Sequence, residues 1–145
     1  MVKVRVKMLS PSAVMPARAH SGDAGYDLVA VSRKMDSDGC VVYGTGLAFE
    51  IPEGYVGLVF PRSSVAKKDV ILSNCVGVVD SGYRGEVMAK FKFVANPRHE
   101  VYEWYDVGER IAQMVIVKLP EVEYEQAGEL SDSERGEGGY GSSGA

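Results

Sequence analysis

The segment GVVDSGYRGEVMAKFKFV, residues 77–94, consists of two apolar runs joined by a polar turn. The first run, 77–79, is typical of a buried strand, and the small residues that follow it are typical of a turn. Apolar side chains then occupy every second position over 87–93, which is the period of a strand with one buried face. The segment therefore predicts a β-hairpin with an aspartate, Asp80, at the end of its first strand and a tyrosine, Tyr83, in its turn.

Short apolar runs of the same kind recur along the chain, and Gly, Pro, Asp or Asn separate them. They predict strands at 2–8, 26–31, 41–43, 46–51, 55–60, 76–79, 87–94, 101–105 and 111–119. A 3.6-residue apolar period is not sustained over three turns anywhere, and 63–68 could form one short helical turn at most. Many short strands with turns between them predict an all-β subunit, a jelly-roll-like fold or distorted β-barrel, in a single domain at 1–127.

Composition and charge exclude several classes of protein. The net charge of −4 argues against a nucleic-acid partner, which requires a basic face. The two cysteines, Cys40 and Cys75, lack metal-site spacing and are expected to be small core residues. No apolar run of membrane-spanning length is present, so we expect no membrane contact and a cytoplasmic location, or a nuclear one in a eukaryote.

The C-terminal segment 128–145 differs in composition from the rest of the chain. It is rich in Gly, Ser and Glu and has almost no apolar side chains, which predicts a flexible arm without a core of its own. It could be an unstructured linker. However, Arg135 and Tyr140 lie among its glycines, and a cation, a ring and free N–H groups could fold over an anionic ligand.

Five segments of the sequence together carry a resemblance. In order they are AHSGDAGYDL (19–28), PRSS (61–64), SNCVGVVDSGYRGEV (73–87), GERIAQMVI (108–116) and RGEGGYGSSG (135–144). Each is weak alone, but in this order they resemble the five motifs of the trimeric dUTPase family. The resemblance implies a homotrimer with active sites shared between subunits. It also implies hydrolysis of dUTP to dUMP and pyrophosphate with Mg²⁺, which limits uracil in DNA and supplies dUMP for dTMP synthesis.

The resemblance also implies roles for individual residues. Asp80 would be the catalytic base that deprotonates a water for attack on the α-phosphorus. Tyr83 would pack under the deoxyribose and leave no room for a 2′-hydroxyl. The uracil slot would be formed by Asn74, Gly77, Val78, Val79 and Met88. The phosphates would be held by Arg62, Ser63, Ser64, Arg135, Ser142 and Ser143, and Gln113 would contact a phosphate or a water. The uracil would be covered by Tyr140 and Gly141.

Five further positions bear on the resemblance. Asp27 would hold a water bound to Mg²⁺, or it could simply be a polar residue at a turn. Glu109 and Arg110 are expected to form a structural ion pair. Ser64 stands where many members of the family have glycine, and Tyr140 stands where Phe is usual.

Two other functions are possible on such a scaffold. A dCTP deaminase would share the fold and the trimer, but that family typically has Phe in place of Tyr83 and a catalytic glutamate where this chain has Lys90. A catalytically silent binding protein would be expected to lack Asp80 or the C-terminal arm, and this chain has both.

Overall fold

The computed structural model of the protein describes residues 1–139. It contains nine strands and one short 3₁₀ turn at Ser63–Lys67 in the described part of the chain. The strands are β1 (Arg5–Met8), β2 (Tyr26–Val29), β3 (Ser32–Met35), β4 (Val41–Glu50), β5 (Tyr55–Pro61), β6 (Val70–Leu72), β7 (Gly77–Val79), β8 (Glu86–Phe93) and β9 (Arg110–Lys118). The prediction of an all-β fold with one short helical turn is therefore confirmed.

The strands form two antiparallel sheets. The first has the order β1-β4-β8-β6, with β3 also paired to β4, and the second has the order β2-β9-β5-β7. Both sheets contribute to one apolar core, in which Tyr43, Phe91 and Tyr105 are the largest fully buried side chains. The alternation in β8 matches this arrangement, because Phe91 is buried whereas Met88 is half exposed. Burial of each large apolar side chain contributes roughly 1.5–3 kcal/mol to folding.

The predicted strand at 101–105 is wrong, because this segment is an irregular loop. A buried carboxylate, that of Asp69, organises the loop. It accepts hydrogen bonds from the Glu103 backbone N–H and the Asn96 amide, both at 2.7 Å, and contacts His99 Nδ1 at 2.7 Å. These bonds, the Glu103 N–H first, lower the pKa of Asp69 from 3.8 to about 2. The backbone of this loop therefore bonds to a side chain and not to a neighbouring strand, although its run of apolar residues resembles that of a strand.

Other strand bounds differ from the prediction at glycines and exposed positions. The two runs at 41–43 and 46–51 form the single strand β4, which continues through an irregularity between Gly44 and Ala48. Gly46 has φ of 67° there, and its N–H donates to a Glu86 carboxylate oxygen at 2.7 Å. Strand β3 was not predicted because all four of its residues are exposed, and β6 has only three residues.

The expectation for the cysteines is half right. Cys40 is buried, whereas Cys75 is exposed and has φ of 58°. Cys75 therefore belongs to a tight turn before β7 and not to the core.

The described part of the C-terminal segment lies outside the core, since the residues of 117–137 are all exposed. The predicted arm residues Tyr140, Gly141, Ser142 and Ser143 lie outside the described residues. Within 1–139, none of the helical segments has the length and apolar content needed to cross a membrane.

Candidate active site

The predicted hairpin around Asp80 has a different geometry from the expected one. Its two arms pair with different sheets: β7 pairs with β5, whereas β8 pairs with β4 and β6. The two arms therefore separate instead of forming a closed two-stranded ladder. A cavity of about 230 Å³ lies between them, lined by Val59, Leu72, Asn74, Gly77, Val78, Val79, Asp80, Tyr83, Glu86, Val87 and Met88.

One side of this cavity is formed by the turn that leads into β7. The Val76 N–H donates to the Asn74 carbonyl at 2.5 Å, and Cys75 adopts positive φ between them. A Cβ atom on Gly77 would lie 3.4 Å from the Asn74 amide nitrogen and 3.2 Å from Val59 Cβ. The tighter of these contacts, to Val59, favours glycine at position 77, and the Asn74 amide lies beside the strand, where it can offer both a donor and an acceptor.

At the other end of the cavity, the turn holds Tyr83 in a fixed position. The Tyr83 N–H donates to the Asp80 carbonyl at 3.1 Å, and the Tyr83 hydroxyl donates to the Glu86 carbonyl at 3.0 Å. A Cβ atom on Gly85 would lie 2.4 Å from the Tyr83 hydroxyl oxygen, so glycine is required for this ring position. Asp80 itself is exposed, which leaves its carboxylate open to water.

Glu86 is a residue of this cavity that the sequence did not reveal. Its carbonyl accepts from Tyr83, and its carboxylate accepts from the Gly46 N–H on the neighbouring strand. A glutamate at the start of a strand resembles any exposed charge in the sequence, and only the fold brings it to Gly46.

A second polar cluster surrounds Asp27 on β2. The Arg62 Nε donates to Asp27 Oδ1 at 2.7 Å, and an Arg110 guanidinium nitrogen donates to Asp27 Oδ2 at 3.1 Å. The expected Glu109–Arg110 ion pair is wrong, because Arg110 pairs with Asp27 and Glu109 lies 3.6 Å from the Lys68 ammonium. The carboxylate of Asp27 thus fixes the guanidinium of Arg62 at the end of β5.

Gln113 belongs to the same cluster. It lies opposite Asp27 in the β2–β9 register, and its amide donates to the Pro61 carbonyl at 3.0 Å. A Cβ atom on Gly25 would lie 2.3 Å from the Gln113 side-chain oxygen, so glycine permits this close approach. Ser63 and Ser64 continue directly from Arg62 into the 3₁₀ turn. The structure therefore brings together the phosphate-binding residues that were predicted in the second and fourth motifs.

The two clusters are far apart within one chain. Val79, which precedes Asp80, pairs with Gly57 on β5, whereas Arg62 lies five residues further along the chain from Gly57. An extended strand rises about 3.3 Å per residue, so this separation is about 17 Å. The structure thus does not bring Asp80 and Arg62 into one site within the chain.

Within residues 1–139, the arm residue Arg135 makes no side-chain hydrogen bond to either cluster. It is exposed, and its Nε donates to the Gly138 carbonyl at 2.8 Å. It is absent from the residues that line the cavity around Asp80.

Lys90 occupies the position that distinguishes the deaminase alternative. Its ammonium lies 2.5 Å from an Asp36 carboxylate oxygen and 3.0 Å from one of Asp38. These two carboxylates, Asp36 first, raise the pKa of Lys90 above its ordinary value. A paired cation at this position cannot act as the carboxylate that a deaminase requires.

Comparisons with known proteins point to one family. The model of the dUTPase family matches residues 12–144. A deoxyuridine 5′-triphosphate nucleotidohydrolase of Hydrogenobaculum is 42% identical, with 99% of each chain covered. One of Clostridium acetobutylicum is 39% identical, covering 99% of this chain and 98% of the relative. The solved dUTPase of Staphylococcus bacteriophage 80alpha, a mutant with dUpNHpp, has a TM-score of 0.80 at 34% identity, with 99% of each chain covered.

The all-β fold and the named relatives place the chain among the hydrolases of nucleotides. More specifically, the chain belongs to the dUTPase family, and the resemblance in the five motifs is confirmed.

Proposed function

We propose that this protein hydrolyses dUTP to dUMP and pyrophosphate. The observation that supports this most strongly is the cavity between β7 and β8, which has Asn74 at one side and Asp80 with Tyr83 at the other. This reaction would keep dUTP out of DNA synthesis and supply dUMP for dTMP formation.

The residues that line the cavity support its role as a uracil site. Asn74 can donate and accept hydrogen bonds, and the strand segments of Val78, Val79 and Met88 supply backbone groups on both sides. A narrow slot of this kind rejects a 5-methyl group by steric clash. A pocket that merely lacked a contact to the methyl group would discriminate by only about 1–3 kcal/mol.

The chemistry would be in-line attack of a water on the α-phosphorus. Asp80, at the mouth of the cavity, would accept a proton from this water as the new P–O bond forms. Pyrophosphate would leave as the bond from the α-phosphorus to the bridging oxygen breaks. The hydrogen bond to Glu86 would hold the Tyr83 ring against the sugar, so that a 2′-hydroxyl does not fit.

The separation of about 17 Å along β5 between the two clusters supports a site shared between subunits. Asp80 of one subunit would act on a triphosphate held by Arg62, Ser63, Ser64 and Gln113 of its neighbour. A closed homotrimer would supply three such sites.

Surface features of the described chain fit such an assembly. An apolar groove of about 410 Å³ lies beside β1 and includes Val4, Val6 and Tyr55. The segment after β9 carries exposed apolar residues, among them Val122 and Tyr124. Buried apolar surface between subunits would stabilise the trimer.

The C-terminal arm, 128–145, would complete the site from a further subunit. Arg135, Ser142 and Ser143 would contact the phosphates, and Tyr140 with Gly141 would cover the uracil. The exposed position of the described arm residues supports this role.

Mg²⁺ is expected to enter with the triphosphate. A dUTPase of phage phi11 of S. aureus, 30% identical with a TM-score of 0.72, was solved with a structural Mg(II) ion. Within residues 1–139 no group of three or more His, Cys, Asp or Glu is arranged to hold a metal. Each Asp27 oxygen accepts one arginine hydrogen bond and retains acceptor capacity, so Asp27 can hold a water of a hydrated ion. Bound Mg²⁺ would neutralise phosphate charge.

A nucleotide panel tests the proposal. The purified protein is incubated with Mg²⁺ and dUTP, dCTP, dTTP or UTP, and release of pyrophosphate and of ammonia is followed. Pyrophosphate from dUTP alone is the expected result. Ammonia from dCTP would indicate a deaminase, and no turnover of any nucleotide would indicate a binding protein.

A further inference from the structure

The hydroxyl of Ser64 contacts a buried tyrosine from a distant part of the chain. The Ser64 hydroxyl oxygen lies 3.1 Å from that of Tyr105, which is in the irregular loop before β9. Tyr105 is only 1% exposed. A buried phenol normally requires a hydrogen-bond partner, and Ser64 provides it here.

Tyr105 is held firmly from its backbone and its ring. Its carbonyl accepts from the Tyr43 hydroxyl at 2.7 Å and from an Arg33 guanidinium nitrogen at 3.0 Å. Its ring packs edge-on against Tyr43, with the centroids 6.4 Å apart, and is tilted against Phe91 at 5.8 Å. The phenol oxygen of Tyr105 is therefore a fixed point beside the 3₁₀ turn.

The direction of the hydrogen bond follows from the available acceptors. Burial raises the pKa of Tyr105, so the phenol remains protonated at neutral pH. Across residues 1–139, the hydroxyl oxygen of Ser64 is the one acceptor within reach of this phenol. The phenol therefore donates to Ser64, because the opposite direction would leave a buried O–H group without an acceptor.

This direction determines what the Ser64 hydroxyl can do. A serine oxygen accepts two hydrogen bonds and donates one. One lone pair accepts from Tyr105, and an Arg62 guanidinium nitrogen lies 3.5 Å away, as a long donor to the same oxygen. The remaining interaction of Ser64 is donation by its own hydrogen, which suits an anionic oxygen.

We propose that Tyr105 is a positioning residue that fixes the Ser64 hydroxyl as a hydrogen-bond donor to the triphosphate. This inference rests on the proposed function of the site.

The test is a double-mutant cycle with Tyr105→Phe and Ser64→Ala. Tyr105→Phe removes one oxygen and keeps the ring, so the core packing is retained. We expect kcat/KM for dUTP to fall about tenfold in Tyr105→Phe, since one charge-assisted hydrogen bond is misplaced. The same substitution should have no further effect in the Ser64→Ala background.

A binding measurement separates positioning from a general loss of structure. The affinity for dUpNHpp, the imido analogue of dUTP, should fall about tenfold in Tyr105→Phe. The inhibition constant of deoxyuridine, which has no phosphate, should be unchanged. Melting midpoints recorded in parallel show how much stability each variant loses.

Three results would overturn the inference: full activity of Tyr105→Phe, an equal loss in both backgrounds, or equal weakening of the analogue and of deoxyuridine. All of them are distinct from failure of the proposed function, which would appear as a wild-type protein without dUTP hydrolysis.

Discussion

Replacing Gly85 with alanine would place a methyl group against the ring that is proposed to select deoxyribose. The added Cβ would lie 2.4 Å from the Tyr83 hydroxyl oxygen and 2.6 Å from the carbon that carries it. Ordinary contacts are about 3.5–4.0 Å, so the tip of the ring must move by about 1 Å. The bond from Tyr83 to the Glu86 carbonyl, now 3.0 Å, would be broken or bent.

The substitution Gly85→Ala should lower the catalytic efficiency more than the stability of the fold. One hydrogen bond contributes about 1 kcal/mol, a factor of about five, and a 1 Å misplacement can cost up to about 100-fold in rate. We therefore expect kcat/KM for dUTP to fall between about fivefold and 100-fold, and the ratio of UTP to dUTP turnover to rise. The melting temperature should change by only about 2–4 °C, because the clash is with the free end of a side chain.

Gly82→Ala is the matched control, since it lies in the same turn and a Cβ atom there would meet nothing within 4 Å. Steady-state kinetics with both nucleotides would compare the two variants. If Gly85→Ala kept the wild-type kcat/KM and the wild-type UTP-to-dUTP ratio, the position of the Tyr83 ring would not control selection of the sugar.

Three further predictions concern the base, the buried carboxylate and the arm. Asp80→Asn should bind the imido analogue of dUTP normally but lower kcat by about 10²–10⁴-fold, and turnover within threefold of wild type would remove Asp80 from the role of base. Because the folded-state pKa of Asp69, about 2, lies below its ordinary 3.8, its stabilising contribution should be full above about pH 4 and be lost as pH falls towards 2. Urea unfolding across this range should give a smaller pH dependence for Asp69→Asn than for wild type, and identical slopes would contradict the assignment. Deleting 133–145 should leave the melting temperature nearly unchanged and strongly lower kcat, whereas a truncated protein with full turnover would exclude the arm from catalysis.

The sequence was sufficient for the fold class because local patterns determine it. Strand β8 keeps its period of two from Val87 to Phe93, and β5 and β9 are mostly apolar runs bounded by turn residues. The strand predicted at 101–105 was wrong because this loop is held by the Asp69 carboxylate, more than 30 residues earlier in the chain. A long-range side-chain bond of this kind leaves no local pattern.

The residues of the candidate site likewise divide into those that local sequence motifs predicted and those that they did not. Residues in short motifs, such as Asn74, Asp80 and Tyr83, were predicted and lie around one cavity. Glu86 and Tyr105 were missed, because their roles depend on strand pairing and core packing between segments about 40 residues apart in the sequence. The separation of Asp80 from Arg62 also required the β5–β7 register.

The most direct test of the proposed shared active site is the activity of mixed trimers of Asp80→Asn chains with Arg62→Ala chains. Each variant alone should be nearly inactive. The Arg62→Ala substitution should not leave the Asp27 carboxylate unpaired, because Arg110 still donates a hydrogen bond to it. If Asp80 and Arg62 act from neighbouring subunits of a cyclic trimer, a random equal mixture should regain about a quarter of the wild-type sites. Mixed trimers that form, as shown by two affinity tags, but remain as inactive as their parents would contradict the shared site.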